Sequence, residues 1–189
     1  MKKLLLTLGL SASLLMPTMV NAADYVIDSK GAHASVNFKV SHLGYSFIKG
    51  RFNKFDGNFS YDPTDVSAST VTVNVETTSL DSNHAERDKH LRSDDFINAK
   101  KFSKAQFVSN KVTDNGDGKM VISGDLTLHG KTMPISIDAQ LIGEGKDPWG
   151  GSRAGFTGTT RLELADFGIK VMGSSSYVDM ELHVEGIKK

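Results

Sequence analysis

The chain has 189 residues, 22 of them Lys or Arg and 22 Asp or Glu, with no cysteine. The lack of cysteine excludes disulfides, thiolate nucleophiles and cysteine-ligated metal or iron–sulfur centres. A formal net charge of zero, with no basic run longer than Lys100-Lys101, gives no electrostatic basis for binding nucleic acid or an anionic membrane.

Residues 1–22 read as a cleavable export signal. Met1-Lys2-Lys3 is a short basic start, Leu4–Leu15 is apolar, and Val20 and Ala22 stand at −3 and −1 of a cut after Ala22. A membrane anchor needs about 20 apolar residues, whereas Ser11, Ser13 and Pro17 interrupt a shorter run here. Cleavage leaves one domain, residues 23–189, without Lys2 and Lys3 and so with a net charge of −2. An exported domain without disulfides must be held by its packing, which favours a substantial core.

The exported part alternates with period two. A short strand is predicted at 24–28. Val36, Phe38 and Val40 then alternate with Asn37, Lys39 and Ser41 in a strand over 33–41, and a second long strand is predicted over 49–61. Val71, Val73 and Val75 mark a strand over 69–77. The segment Ser82–Asp95 breaks the pattern: it holds helix formers and no β-branched residue, and Ser82 or Asn83 can cap a short helix. Strands follow over 104–114, 119–128, 131–143, 152–164 and 175–186. They are separated by turn signals at Asp114–Gly118, His129-Gly130-Lys131 and Gly143–Gly151.

Each strand carries one apolar and one polar face, as in antiparallel sheets covered on one side. About eight such strands in hairpin order suit a closed barrel, which removes both sheet edges. Eight strands is a threshold size: side chains fill the barrel, or it holds one small ligand. Gly124 and Gly158 fall on the apolar face and would leave room inside. A sandwich of two apolar faces satisfies the same pattern.

Chemical motifs are weak. His84 and His90 are six apart, which is not the i, i+3 or i, i+4 spacing of a helical metal pair. No Gly-x-Ser-x-Gly elbow is present. Asp114–Gly118 lacks the spacing and the final Glu of a calcium loop. Neither a metal nor another cofactor is expected. The densest charged stretch, Glu86–Asp95, reads either as a solvated helix face or as a polar rim at a barrel mouth.

Several stretches taken together resemble one family. They are His33–Gly44, Gly50-Arg51-Phe52, Phe55-Asp56-Gly57, Asn83–Phe96, Gly124–Thr132, Asp147–Gly151 and Asp166–Ile169. In order and spacing this set resembles the YceI-like family of bacterial periplasmic proteins, and the likeness spans essentially the whole exported part. His129 and Val171–Ser176 fall where the family pattern is loose. The resemblance implies an all-β, extended lipocalin-like eight-stranded antiparallel β-barrel with one short helix, located in the periplasm. It implies a hydrophobic interior that holds a polyisoprenoid or a quinone-like lipid, no catalytic activity, and homodimers in some members. From alternation, the ligand tail is expected against Val36, Phe38, Val40, Phe52, Leu126, Ile137, Phe156 and Leu162. The head group is expected near His42, Arg51, Arg87, Asp88, His90 and Arg92. The alternative is a non-catalytic stress or protein-interaction module with a filled core.

Overall fold

The computed structural model describes residues 22–171 and 173–189. The export signal read at residues 1–22 lies outside the described residues except for Ala22. Among the described residues eleven strands form one sheet: β1 (Ala23–Ile27), β2 (Ser35–His42), β3 (Ser46–Phe52), β4 (Phe55–Tyr61), β5 (Thr70–Glu76), β6 (Leu80–Asp81), β7 (Lys104–Asp114), β8 (Lys119–Leu128), β9 (Lys131–Lys146), β10 (Ser152–Glu163) and β11 (Tyr177–Lys188). The α-helix α1 (Ala85–Leu91) lies between β6 and β7.

The eleven pieces make eight barrel strands. β1 and β2 sit end to end on one edge of β11, with Tyr25 opposite Lys188 and Val36 opposite Leu182. Across from them β4 pairs with β1 and β3 with β2, so residues 46–61 form one long strand broken at Asn53-Lys54. β5 and β6 likewise form one interrupted strand, since Phe55 faces Val75 and Phe52 faces Leu80. The β1–β11 pairing closes the ring. The pattern that fitted a barrel and a sandwich equally is thus a closed eight-stranded antiparallel barrel, and closure leaves a common interior for every inward side chain.

Two bulges hold the apolar residues inward where simple alternation fails. In β7 the ladder slips between Ser109 and Lys111, so that Phe107 and Val112, of opposite parity, are both buried. In β9 the ladder skips Ile142, which is left 68% exposed while Leu141 packs inside.

The two ends differ. At one, Tyr25 stacks on Phe59 at 4.8 Å, and Phe156 meets Phe59 and Tyr61 edge-on at 5.5 and 5.2 Å. With Val112, Met120, Ala139 and Ala154 these rings form a packed plug. Burial, reinforced by the Glu144 charge, pushes the Tyr25 and Tyr61 phenols up from their ordinary value. Beside the plug, Arg153 ties the ends of three strands together. Its guanidinium donates to Asp28 at 3.0 Å, to Asp147 at 3.0 Å and to Glu185 at 2.5 Å. Asp147 also accepts from the Trp149 and Gly151 backbone N–H groups, which accounts for the Asp-Pro-Trp-Gly-Gly turn.

The inward glycines do not enlarge the interior as expected. A Cβ on Gly124 would press on the Val108 carbonyl and the Phe107 ring, and one on Gly158 would meet Ile137 Cγ2 at 2.9 Å. The Phe38 ring fills the space over Gly50 in the same way, and the Phe59 ring that over Gly186. Each glycine makes room for a neighbouring side chain, chiefly a phenylalanine packed against bare backbone.

Two outcomes are expected. Gly124→Ala should destabilise the barrel by about 1–3 kcal/mol through overpacking, measured by denaturant unfolding. The second concerns acid. The His33 ring, then the Gly31 N–H and Arg153, hold the buried Asp28 carboxyl down at about 2 against an ordinary 3.8. Its folded-state value lies below its unfolded one, so its stabilisation is complete above about pH 4 and is lost as pH falls toward 2. Arg153→Met should destabilise the barrel at pH 7, because Asp147 and Glu185 lose their guanidinium partner and Asp28 keeps only His33 and the Gly31 N–H. It should also flatten the loss of stability between pH 4 and 2.

Candidate functional site

The other half of the barrel is hollow. A cavity of about 550 Å³ runs from Ile27, Phe55 and Val184 beside the plug to His42, Leu164 and Val171 at the opposite end. It lies within the range of about 300–1,000 Å³ typical of small-molecule sites. Between Val178 and Val184 its wall follows β11 for roughly 20 Å of extended chain.

The wall is made by the inward positions of the strands, and they are overwhelmingly aliphatic or phenylalanine. Val36, Phe38 and Val40 line it from β2, and Phe52 from β3. Leu126 of β8, Ile137 of β9 and Leu162 of β10 line it as well. Phe156, expected beside them, sits elsewhere. It shares their parity but lies near the start of β10, where it packs on Phe59 and Tyr61 in the plug. Position along the strand, which alternation does not report, separates wall from plug.

Other wall residues were legible as inward but not singled out: Val73, Val75, Ile135, Val178, Met180 and Leu182. A further group comes from non-strand segments that no periodicity marks. Phe96 and Ile97 follow α1, Ile169 and Val171 lie in the loop before β11, and Ser175 precedes that strand.

Polar groups gather at the open end. Of the residues expected around a head group, His42, Arg87 and His90 line the cavity. Arg51 does not: it alternates with the inward Gly50 and Phe52 and is exposed on the outer face of β3. Asp88 and Arg92 face the protein. Asp88 is buried and accepts from the Ser82 N–H at 2.8 Å and from the Ser82 hydroxyl. The Arg92 guanidinium donates to the Leu80 carbonyl at 2.7 Å.

These two side chains, with Arg87, fasten α1 to the barrel. Arg87 donates through Nε to Ser82 Oγ at 2.7 Å and through Nη2 to the Ser82 carbonyl. The helix is shorter than the predicted Ser82–Asp95, and its cap is different. Asn83 takes a positive φ of 62°, and His84 Nδ1 accepts the Arg87 N–H at 3.2 Å. Ser82 is thereby released from capping to bind Asp88. His90 packs edge-on against Phe96 at 4.8 Å and lies 3.4 Å from Asp95. The Ser41–Ser175 contact, in which the Ser175 hydroxyl donates to the Ser41 carbonyl at 2.6 Å, completes the polar end.

Among the described residues one cluster has the donor types of a metal site, Asp28, His33 and Glu185. The Arg153 guanidinium already binds both carboxylates and supplies the positive charge a metal ion would bring. The cavity wall holds no such set of ligands among the described residues. Its chemistry is that of a greasy tube with one polar rim.

The YceI-like domain profile matches residues 25–186. A UPF0312 protein of Vibrio cholerae is 69% identical over 189 residues, covering 100% of both chains. A crystallised YceI protein of Campylobacter jejuni is 28% identical with a TM-score of 0.71, covering 80% of this chain and 91% of that one. A polyisoprenoid-binding domain from Saccharophagus degradans, implicated in plant cell wall breakdown, shares the fold at 14% identity and a TM-score of 0.61. That match covers 89% of this chain and 100% of that domain. The barrel, its motifs and the match along nearly all of the described residues agree: the chain belongs to the YceI-like family.

Proposed function

We propose that this protein binds a polyisoprenoid, or a similar long-chain amphiphile such as an isoprenoid quinone, in its barrel. On this reading it carries or sequesters the lipid in the periplasm after removal of residues 1–22, and it does no chemistry on it. One observation carries the proposal: a cavity of about 550 Å³ enclosed mainly by aliphatic and phenylalanine side chains, with the histidines and the arginine of its lining at one end. The binding property in the name of the Saccharophagus degradans domain is consistent with the same use of the fold. A filled-core interaction module would not keep such a space.

Elementary energetics fit a tail-dominated site. Burying one CH₂ is worth about 0.8 kcal/mol, so a prenyl chain gains strongly without a specific polar contact, within the usual affinity ceiling. The exposed imidazoles of His42 and His90 at the rim would then discriminate head groups more than they add affinity, while Arg87 is held on Ser82. The tail would lie against Leu126, Ile137, Leu162 and Val178, toward the aromatic plug.

Three measurements test this. Native mass spectrometry of protein purified from its own cell envelope should show a bound lipid released on unfolding; protein consistently free of lipid would count against the proposal. Along the series geraniol, farnesol, geranylgeraniol, affinity should rise about fourfold per buried methylene and level off once the cavity is full. An affinity independent of chain length would contradict a tail site. Finally, Val178→Trp fills the cavity from its wall and should weaken farnesol binding about tenfold or more. Ile142→Trp, on the outer bulge, should leave binding unchanged.

A further inference from the structure

The hairpin joining β2 and β3 presents a surface that folding does not require. Leu43, Tyr45 and Phe47 are 70%, 89% and 59% exposed, although a soluble barrel gains by turning such side chains inward. Leu43 takes a positive φ of 55° beside Gly44 at 79°. A leucine is strained in that conformation, where asparagine or glycine is usual. The turn therefore accepts backbone strain to hold a large apolar side chain in water.

The outer face of the same strand is cationic. Phe47, Lys49 and Arg51 alternate along β3, and Lys39 stands opposite Lys49 on β2. The Lys39 ammonium lies 4.9 Å above the Phe47 ring. Asp179 offsets Lys39 at 3.4 Å and Asp81 lies opposite Arg51, while Lys49 has no carboxylate within salt-bridge reach among the described residues. The face thus carries two aromatic rings and a leucine at its tip with ammonium and guanidinium groups behind them. That order, apolar body outermost and cation at the next level, matches the layering of acyl chains and anionic head groups.

The position adds to the chemistry. His42, Ser41 and Ile48, at the base of the hairpin, line the open end of the cavity. The edge of β3 away from β2 pairs with β6 at Arg51 and Phe52, and along Ser46–Gly50 that edge is unpaired among the described residues. Lys49 in the middle of that edge discourages addition of a strand from a second copy. The near-zero net charge of the chain hides this local pattern.

We propose that the Leu43–Phe47 tip is a membrane-docking prong. It inserts into an anionic bilayer and sets the cavity mouth against the lipid surface, so that a tail passes between bilayer and barrel without crossing water. This inference rests on the lipid-binding reading for its purpose but not for its test.

The test is co-sedimentation of the processed protein with phosphatidylglycerol–phosphatidylethanolamine vesicles and with phosphatidylcholine vesicles, beside farnesol binding in solution. The wild type should bind the anionic vesicles more tightly, and added salt should weaken that binding. Tyr45→Ser with Phe47→Ser should weaken it about a hundredfold and leave farnesol affinity unchanged. Lys39→Gln with Lys49→Gln should remove most of the salt dependence. A Tyr45→Trp probe in a Trp149→Phe background should shift its emission to the blue on anionic vesicles, which reports insertion without disturbing the fold. Farnesol binding without vesicle binding, or vesicle binding indifferent to Tyr45 and Phe47, would overturn the prong. So would a dimer that the serine variants dissociate, because the tip would then be an interface between copies. Vesicle binding without farnesol binding would uphold the prong and defeat the cavity reading instead.

Discussion

Everything in this fold depends on the edge of β11. β1 takes its last residues, Gly186–Lys188, and β2 takes Asp179–His183, so the first barrel strand lies along the last. Hydrogen bonding across that seam turns an open sheet into a ring with no long edge. Inward residues from every strand then share one interior. What that interior does is decided by side-chain size and by which end of each strand a residue occupies. Aromatic rings over Gly186 fill the end near the seam's start, and the aliphatic residues of the other half line an empty space.

The charged groups serve this division. Arg153 binds Asp28, Asp147 and Glu185 beside the plug, and so fixes the loop between β1 and β2 to β10 and β11 where the ring closes. At the other end Ser82, Arg87, Asp88 and Arg92 spend their polar atoms on one another and on backbone, which holds α1 at the cavity's rim. The rim is consequently polar but occupied by structural bonds. The side chains of His42 and His90 are the ones exposed there.

Much of this was legible in the sequence, because period-two alternation is a direct readout of strand faces. It located the strands and the inward parity of Val36, Phe38, Val40, Leu126, Ile137 and Leu162. It also put Phe156 on the inward face, correctly as to side but wrongly as to depth, since depth depends on strand register around the ring. The break at Asn53-Lys54 and the bulge at Asn110 each reverse the inward parity, from Phe52 to Phe55 and from Phe107 to Val112, and a single unbroken alternation does not mark such a reversal. Gly124 and Gly158 suggest empty space by sequence, but a glycine says nothing about which neighbour fills the gap, and here Phe107 and Ile137 do. Closure itself is a pairing between the two ends of the chain, and no local pattern encodes it. The polar rim was hardest, since Arg51, Asp88 and Arg92 differ from His42, Arg87 and His90 only in direction.

The central claim is that the hollow half of the barrel is a site for an isoprenoid tail. The most direct measurement is the set of intermolecular NOEs between a ¹³C-labelled prenyl chain and protein carrying labelled Ile, Leu and Val methyls. The account predicts contacts from the chain to Leu126, Ile137, Leu162 and Val178, on the cavity wall, and none to Ile142 or Ile187, which face outward. Contacts confined to the outward methyls, with the wall silent, would contradict it.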